Sequence, residues 1–226
     1  MVYRMQVSLS GTMKRILLAL ILCNLCTQAF AEDIKWELKK DREGIKVYSG
    51  NVPNSNIRAI RAVCTIEAQL SELAALLLDA EARGKWVYGI DKTYLIKRLS
   101  DSEQVYYSEM SMPWPLSNRD AVVLLRISQD PVTRVMSANM TIAEGYLPPK
   151  KDKVRVPFLK VNWTVTPVRQ NLLSIEYQAR ADPGGLIPSW VVNLFSTKSP
   201  FESFKALRSL LQTGNYELNP VDFIEN

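Results

Sequence analysis

Few side chains in this chain of 226 residues could carry out covalent chemistry. There is no histidine, which removes the general base of Ser-His-Asp and Cys-His sites and the commonest metal ligand. Of the three cysteines, only Cys64 lies beyond residue 31, so we predict neither a zinc nor a copper site. Asp120 and Asp182 could act as acids or bases, but neither has an ionisable partner at a sequence spacing that indicates a catalytic pair. A turn or capping role is the simpler interpretation. These absences argue against hydrolytic or redox catalysis and predict no metal or cofactor.

Residues 1–31 have the pattern of a secretory signal peptide. A basic pair, Lys14-Arg15, precedes an apolar run over residues 16–26 and a small-x-small cleavage signal that ends at Ala31. We expect cleavage after Ala31 and a periplasmic or secreted mature protein. Because the removed segment holds three basic side chains and no acidic one, the net charge falls from +5 to +2. So small a charge predicts no nucleic-acid binding.

A long apolar segment lies near the end of the chain. Residues 182–185, Asp-Pro-Gly-Gly, end a strand and reverse the chain, since glycine adopts positive φ without steric cost. Pro188 suits the first turn of a helix. Apolar residues then recur at helical spacing: Trp190, Leu194, Phe201, Phe204, Leu207 and Leu211. We predict a long helix over residues 188–211 that lies across a sheet, with Pro200 as the place where it would kink.

Strands dominate the rest of the chain. Runs bounded by turn residues predict strands at residues 45–48, 57–66, 93–99, 104–112, 121–128, 133–143, 154–166 and 172–181, a helix at 69–80 and a helical turn at 82–86; residues 34–38 suit a strand or a helical turn. Short connections indicate antiparallel neighbours. The fold class is therefore α+β, a curved antiparallel β-sheet covered by a long C-terminal α-helix, in one domain over residues 32–226. Residues 1–12, before a natural start at Met13, would be an extension.

We expect a ligand between the sheet and the C-terminal helix to contact the residues that face the space between these two elements. Tyr106 and Met110 share one face of their strand, and Tyr177 lies on the covered face of the last strand. With apolar residues of the strand at 121–128 and of the helix start, they form the candidate set: Tyr106, Met110, Val123, Leu125, Tyr177, Trp190, Val191, Leu194 and Phe195. Packing within the core is the alternative for each of them.

Four other features have structural interpretations. Cys64 is predicted to be a buried core thiol. Arg119-Asp120 is predicted to be an ion pair at the start of a strand, and Trp114, between two prolines, to plug a strand edge. Residues 148–153, Pro-Pro-Lys-Lys-Asp-Lys, are predicted to form a solvated loop, whose lysines would suit an anionic membrane surface.

Motifs spread over nearly the whole chain beyond residue 31 carry a family resemblance. They are Trp36 with Gly44-Ile45-Lys46-Val47-Tyr48, the helix at 73–79 followed by Trp86, Pro113-Trp114-Pro115 with Asn118-Arg119-Asp120, Trp163 with Pro167, Glu176-Tyr177, and Asp182-Pro183-Gly184-Gly185 with Ile187-Pro188-Ser189-Trp190. On these residues the chain resembles the START domains (steroidogenic-acute-regulatory-related lipid transfer), in their bacterial secreted form. The resemblance implies a helix-grip fold, in which the C-terminal helix closes an apolar tunnel that holds one lipid. It also implies binding or transfer without catalysis.

One position departs from the family pattern. Several START domains carry an inward-pointing charged residue on the strand that follows the Arg-Asp pair. By strand parity that position is Leu125 in this chain, and Arg126 points outward. The resemblance therefore implies no charged contact with a lipid head group, and the ligand class stays open.

Three functions are compatible with these observations. The leading hypothesis is a monomeric carrier that binds one lipid or other hydrophobic molecule and touches membranes transiently. The second is an enzyme on the same scaffold, a cyclase, aromatase or hydrolase for hydrophobic substrates, which would need ionisable groups that converge inside the cavity. The third is an interaction module with a collapsed cavity. These three functions differ in whether the domain has an internal void and in which polar groups face that void.

Overall fold

The computed structural model describes residues 34–52, 58–212 and 221–226, and residues 34–226 form one compact unit. The predicted signal peptide and the extension at residues 1–12 lie outside the described residues. The strands are β1 (Trp36–Arg42), β2 (Ile45–Asn51), β3 (Arg58–Glu67), β4 (Ile90–Arg98), β5 (Glu103–Met110), β6 (Arg119–Gln129), β7 (Met136–Ile142), β8 (Val154–Arg155), β9 (Phe158–Arg169) and β10 (Leu172–Asp182). The helical segments are α1 (Leu70–Leu78), α2 (Arg83–Trp86), α3 (Ser189–Asn193), a π-helical segment (Leu194–Lys198) and α4 (Ser199–Gln212).

The strands form one curved sheet in the order β1-β2-β3-β10-β9-β7-β6-β5-β4. These neighbours pair antiparallel, as predicted, and the two-residue β8 pairs in parallel with the start of β6. The single strand predicted at residues 154–166 is wrong, because the segment divides into β8 and β9. Pro157 lies at the division, and it lacks the N–H that would continue a ladder of hydrogen bonds.

The two edges of the sheet are irregular. In β1 the pairing register shifts between Leu38 and Lys40. In β4 it shifts twice, after Ile90 and after Leu95. Such bulges interrupt a strand's hydrogen-bonding row and increase its local twist.

The C-terminal helix is continuous from Ser189 to Gln212 through α3, the π-helical segment and α4. Pro188 precedes the first turn as the N-cap, and its carbonyl oxygen accepts hydrogen bonds from the next turn. Pro200 does not end the helix; it is the second residue of α4, directly after the π-helical segment. Within the described ranges, no helix combines the length and the apolar character that crossing a membrane requires.

The hydrophobic core lies between the inner face of the sheet and the helices. β10 alternates as predicted: Leu173 and Ile175 are buried, whereas Glu176, on the other face, is half-buried and pairs with Arg61 at 2.8 Å. Cys64 is also buried, which confirms the predicted core thiol. Burial raises the pKa of that thiol to about 11, against the opposing effect of a nearby arginine, so the thiol stays protonated and unreactive near neutral pH.

Candidate functional site

A cavity of about 640 Å³ lies between the inner face of the sheet and the C-terminal helix. Its walls come from strands β3, β5, β6, β7, β9 and β10, from α2 and from the helix. Most of the lining is apolar and includes Ile60, Met110, Val123, Val161, Trp163 and Phe204. A void of this size suits one small ligand. The interaction-module hypothesis required a collapsed cavity, so this void removes its support.

Arg83 is a buried cation in the wall of this cavity, with 4% of its surface exposed. Its Nη2 donates a hydrogen bond of 2.6 Å to the carbonyl oxygen of Leu77, in the last turn of α1. The guanidinium lies 4.1 Å from the ring centre of Tyr106 and 5.9 Å from that of Trp86. Its Nε has no acceptor, and no carboxylate in the described ranges pairs with it. A helix C-terminus and aromatic rings therefore hold this charge without a counter-ion.

Two phenols and two indoles near Arg83 each carry a hydrogen-bond donor, and the hydroxyl of Tyr106 donates to Sδ of Met140 at 3.6 Å. Burial raises the pKa of Tyr106 and of Tyr177; the positive charge of Arg83 opposes both shifts without cancelling them. Both phenols are therefore neutral at physiological pH. The buried indole N–H groups of Trp86 and Trp163 have no acceptor. This part of the wall offers a positive charge beside donors, which is what an anionic oxygen group requires.

Residues 183–188, between β10 and α3, form a tight turn at one end of the cavity. Gly184 and Gly185 have φ values of +69° and +68°, which confirms the predicted glycine turn. A Cβ atom at Gly184 would lie 3.0 Å from Cγ1 of Val154, so this site accepts no side chain without a shift. Arg119 donates from Nε and Nη2 to the carbonyl oxygens of residues 183 and 184, at 3.3 and 3.2 Å. The turn is thus held to the start of β6.

This turn is the open end of the cavity. Leu186 lines the cavity and is also 96% exposed. Along β10, Asp182 adjoins the turn, and Tyr177, five residues earlier, lies close to Arg83. Five residues of strand span about 17 Å. We therefore call residues 183–188 the mouth and the surroundings of Arg83 the inner end.

A family model described as START domain matches residues 19–215 of this chain. The chain belongs to the START domain family. An uncharacterized protein of Pseudomonas aeruginosa is 34% identical to this START protein over 202 residues, which cover 88% of this chain and 96% of that one. START domain-containing protein 10 of Homo sapiens is 29% identical over 182 residues, which cover 79% of this chain and 60% of that protein's length.

A solved structure shares the fold. The crystal structure of the STAR-related lipid transfer protein (fragment 25-204) from Xanthomonas axonopodis matches this START domain with a TM-score of 0.71 and 37% identity. The match covers 79% of this chain and 99% of that one. The predicted family resemblance and the predicted helix-grip architecture, a curved antiparallel sheet with a C-terminal helix, are therefore confirmed.

In this START domain, two ion pairs tie the loop of residues 143–157 to the sheet. Nε and Nη2 of Arg155 donate to the two carboxylate oxygens of Asp120, at 2.8 and 3.0 Å, and the Asp120 side chain has no exposed surface. Nζ of Lys153 lies 2.6 Å from Oε1 of Glu109. Burial alone would raise the pKa of Glu109, but hydrogen bonds from Lys153 and two other neighbours hold it below its usual value. The predicted solvated loop is therefore anchored at its C-terminal end.

Two predicted structural roles are wrong. Arg119 and Asp120 do not pair with each other, because consecutive side chains of a strand point to opposite faces. Asp120 pairs with Arg155, and Arg119 donates to the mouth turn. Trp114 does not plug a strand edge, since it lies in the loop before β6 with 91% of its surface exposed.

The structure brings five of the nine predicted ligand residues to the cavity wall: Tyr106, Met110, Val123, Tyr177 and Phe195. The other four do not line it. Leu125 is fully buried two residues beyond Val123, where core side chains already fill the space below the sheet. Val191 is fully buried, Leu194 is half-buried, and Trp190 is 53% exposed.

The π-helical segment changes which residues of the helix face the cavity. An i→i+5 turn holds one residue more than an α-turn, so the part before it is rotated by about 100° relative to an unbroken α-helix. Val192 and Ser196 therefore line the cavity beside the predicted Phe195, whereas Trp190 and Leu194 do not.

The sequence did not predict the charged residue at the inner end. It did predict that Arg126 points outward. Arg126 is exposed and pairs with Glu103 at 3.0 Å, outside the cavity. At the inner end, the buried charge comes from Arg83 on α2, an element that the sequence pattern did not connect with a ligand; Arg119 and Asp120 are buried in the wall nearer the mouth. The available signal was its spacing of three residues from Trp86 in the predicted helical turn, which brings both to one side.

Proposed function

We propose that this START domain binds one lipid with an acidic head group, a phosphate or a carboxylate, and carries it as a monomer between membranes outside the cytoplasm. The observation that carries this proposal is the buried Arg83, without a carboxylate partner in the described ranges, in the wall of a largely apolar cavity of about 640 Å³. The Xanthomonas relative is described as a lipid transfer protein, which supports carriage. The predicted signal peptide supports the compartment.

Binding in this cavity lowers the free energy of both the head group and the hydrocarbon chain of such a lipid. Burying a charge without a partner costs several kcal/mol. In the ligand-free protein, one carbonyl oxygen and aromatic rings offset only part of that cost for Arg83. An anionic oxygen would add charge-assisted hydrogen bonds of about 1.5–3 kcal/mol. Each CH₂ group buried against the apolar wall contributes about 0.8 kcal/mol. The head group therefore binds at the inner end, and the hydrocarbon chain runs toward the mouth.

A binding role without catalysis fits the groups that line the cavity. The carboxylate of Asp120 is engaged by Arg155, and that of Asp182 accepts the N–H of Gly184 at 2.8 Å. At the inner end, burial raises the pKa of both Tyr106 and Tyr177. Both carboxylates are already held by other groups, and the chain has no histidine to serve as a general base. The enzyme hypothesis has no observation in its favour here.

Native mass spectrometry of protein purified from cells tests the proposal. We expect a co-purified ligand that fragments as a lipid with a phosphate or carboxylate group. In a binding assay, phosphatidic acid should bind at least tenfold more tightly than diacylglycerol with the same chains, because only the first carries the anion. Absence of bound lipid, together with no binding of fatty acids, phospholipids or sterols, would overturn the proposal. Preferential binding of the neutral lipid would overturn the proposal that the head group is acidic, but not the proposal that the protein binds a lipid.

We also propose that the mouth docks on an anionic bilayer. Leu186 is 96% exposed in the mouth itself, and Trp190 is 53% exposed at the start of the helix. The loop that carries Trp114 meets the mouth through Arg119, which donates to the carbonyl oxygens of both Ser117 and Pro183. Tryptophan is the residue that most favours the membrane interface. Lys198, which is exposed on the same helix as Trp190, would complement anionic lipids.

Replacing Trp114 with alanine is expected to weaken binding to vesicles of anionic phospholipid about tenfold, since an inserted indole contributes about 1.4 kcal/mol or more. Lipid affinity in the cavity should not change, because Trp114 does not line it. Vesicle co-sedimentation measures the effect. The matched control is Val132→Ala, an apolar residue with 88% exposure on the turn at the opposite end of β6. Equal vesicle binding by both variants would contradict docking through the mouth.

A further inference from the structure

The segment of residues 77–83, which joins α1 to α2, decides where the charge of Arg83 lies. At its start, the carbonyl oxygen of Leu77 accepts the hydrogen bond of 2.6 Å from Nη2 of Arg83. Oδ1 of Asp79 accepts the backbone N–H groups of residues 81 and 82, both at 2.9 Å, and so fixes the turn directly before Arg83. The guanidinium therefore bonds back to the segment that carries it, and a movement of this segment moves the charge.

Two side chains of the sheet hold this segment in place. Nε2 of Gln104, on β5, donates a hydrogen bond of 2.6 Å to the carbonyl oxygen of Leu78, the last residue of α1. Oγ1 of Thr93, on β4, donates to the carbonyl oxygen of Ala80 at 2.9 Å. The last carbonyl groups of a helix lack partners within it, so the bond from Gln104 also satisfies one of them. Both bonds tie the segment to the sheet.

Gln104 lies where the pattern of the strand would favour an apolar side chain. It is fully buried on the inner face of β5, two residues before Tyr106, so the two side chains point to the same side. Its Oε1 has no hydrogen-bond partner within the part of the chain that the structure describes. A buried acceptor without a donor destabilises a folded protein. Packing alone therefore does not account for glutamine here, and its hydrogen bond to Leu78 is the interaction that does.

Gln104 and Tyr106 together place the charge relative to the sheet. The Tyr106 ring lies 4.1 Å from the guanidinium of Arg83, and Gln104 holds the carbonyl group next to the one that this guanidinium contacts. Gln104 does not line the cavity, so it would not touch a ligand. We infer that Gln104 is a positioning residue, which fixes the guanidinium of Arg83 at the cavity wall and thereby sets the selectivity for acidic lipids. This inference rests on the proposed function, in which Arg83 contacts the head group.

A comparison of lipid selectivity tests this role. Selectivity is the ratio of the affinity for phosphatidic acid to the affinity for diacylglycerol with the same chains. Gln104→Met removes the amide at nearly constant length and should lower this ratio about threefold or more, with the affinity for diacylglycerol unchanged. In the Arg83→Met background the same change should leave the ratio unaltered, because the charge to be positioned is gone. A ratio that does not fall in Gln104→Met, or that falls equally in both backgrounds, would overturn the role.

Gln129→Met is the matched control. Nε2 of Gln129 also donates to backbone carbonyl oxygens, those of Arg134 and Glu225 at 3.2 and 2.8 Å, but at the end of β6 opposite the mouth. This change should leave the ratio as it is in the parent, and a fall equal to that of Gln104→Met would show that Gln104 has no particular part in selectivity. If Gln104→Met does not fold, Thr93→Val gives the same test, since it removes the bond to Ala80 and keeps the shape of the side chain.

The ligand-free protein gives a second readout, which does not depend on the proposed function. The Nε–H of Arg83 is buried and has no acceptor among the described residues, so its NMR signal should exchange slowly with water in the parent. In Gln104→Met this exchange should be about tenfold faster, because the segment that carries Arg83 is released from the sheet. Unchanged exchange would overturn the positioning role. If the parent binds the two lipids equally, the proposed acidic head group fails, and the exchange rates alone then decide whether Gln104 positions Arg83.

Discussion

Replacing Arg83 with methionine is expected to weaken binding of an acidic lipid about thirtyfold or more, while the ligand-free protein stays at least as stable as the parent. The affinity falls because the head group loses charge-assisted hydrogen bonds worth about 2 kcal/mol, and 1.4 kcal/mol is a factor of ten. Stability is kept because methionine fills similar space without burying a charge that lacks a counter-ion. Lipid titration and urea unfolding measure the two quantities.

Two further variants separate the head-group contact from general damage. Arg83→Lys keeps the charge but loses the planar fork, so its affinity should fall between those of the parent and of Arg83→Met. Arg98→Met removes an exposed arginine of β4 and should leave lipid affinity unchanged. If Arg83→Met binds phosphatidic acid as the parent does, or loses the same factor for neutral diacylglycerol, Arg83 is not the head-group contact.

Replacing Asp120 with alanine is expected to lower the free energy of unfolding by about 3–5 kcal/mol. The Asp120 side chain has no exposed surface, and the change would leave the guanidinium of Arg155, only 20% exposed, without its carboxylate. Arg155 also donates to the carbonyl oxygens of Leu147 and Pro148, both at 3.1 Å. The loss should therefore loosen the whole loop of residues 143–157. Urea unfolding measures the change.

The same loop supplies the control for this prediction. Asp152 pairs with Lys153 at 3.0 Å, but its side chain is 72% exposed, so Asp152→Ala should cost less than about 1 kcal/mol. Adding Arg155→Met to Asp120→Ala should recover part of the loss, because the unpaired charge is removed as well. A loss below 1 kcal/mol for Asp120→Ala alone would show that the pair is not a main support of the loop.

The parts of this fold that the sequence predicted are those with a local pattern. In β10, alternation of apolar and polar side chains was enough to identify the covered face on which Leu173 and Ile175 lie. The turn into the helix was predictable because Gly184 and Gly185 adopt a backbone conformation that other residues rarely do. Cys64 follows the same strand alternation, and it is buried.

The parts that the sequence did not predict depend on distant neighbours. A lone arginine in a short helical turn is normally exposed. What buries Arg83 is a carbonyl oxygen from Leu77 in α1 and an aromatic ring from Tyr106 in β5, and no local pattern announces either contact. The rotation of the helix start was missed for a related reason, since a π-helical turn has no marker in the sequence beyond the proline that follows it. Tertiary packing therefore decided which of the predicted residues reach the cavity.

The irregular edges of the sheet have a consequence for how this protein behaves at high concentration. An open sheet exposes a row of unpaired backbone groups on each edge strand, and a flat row of that kind templates pairing with other chains. Here both edge strands are broken by register shifts and carry charged side chains, such as Lys39 on β1 and Lys97 on β4. Both devices oppose the edge-to-edge stacking that leads to fibrils. The domain can thus keep an open sheet, curved around its cavity, and still be concentrated without polymerising through its edges.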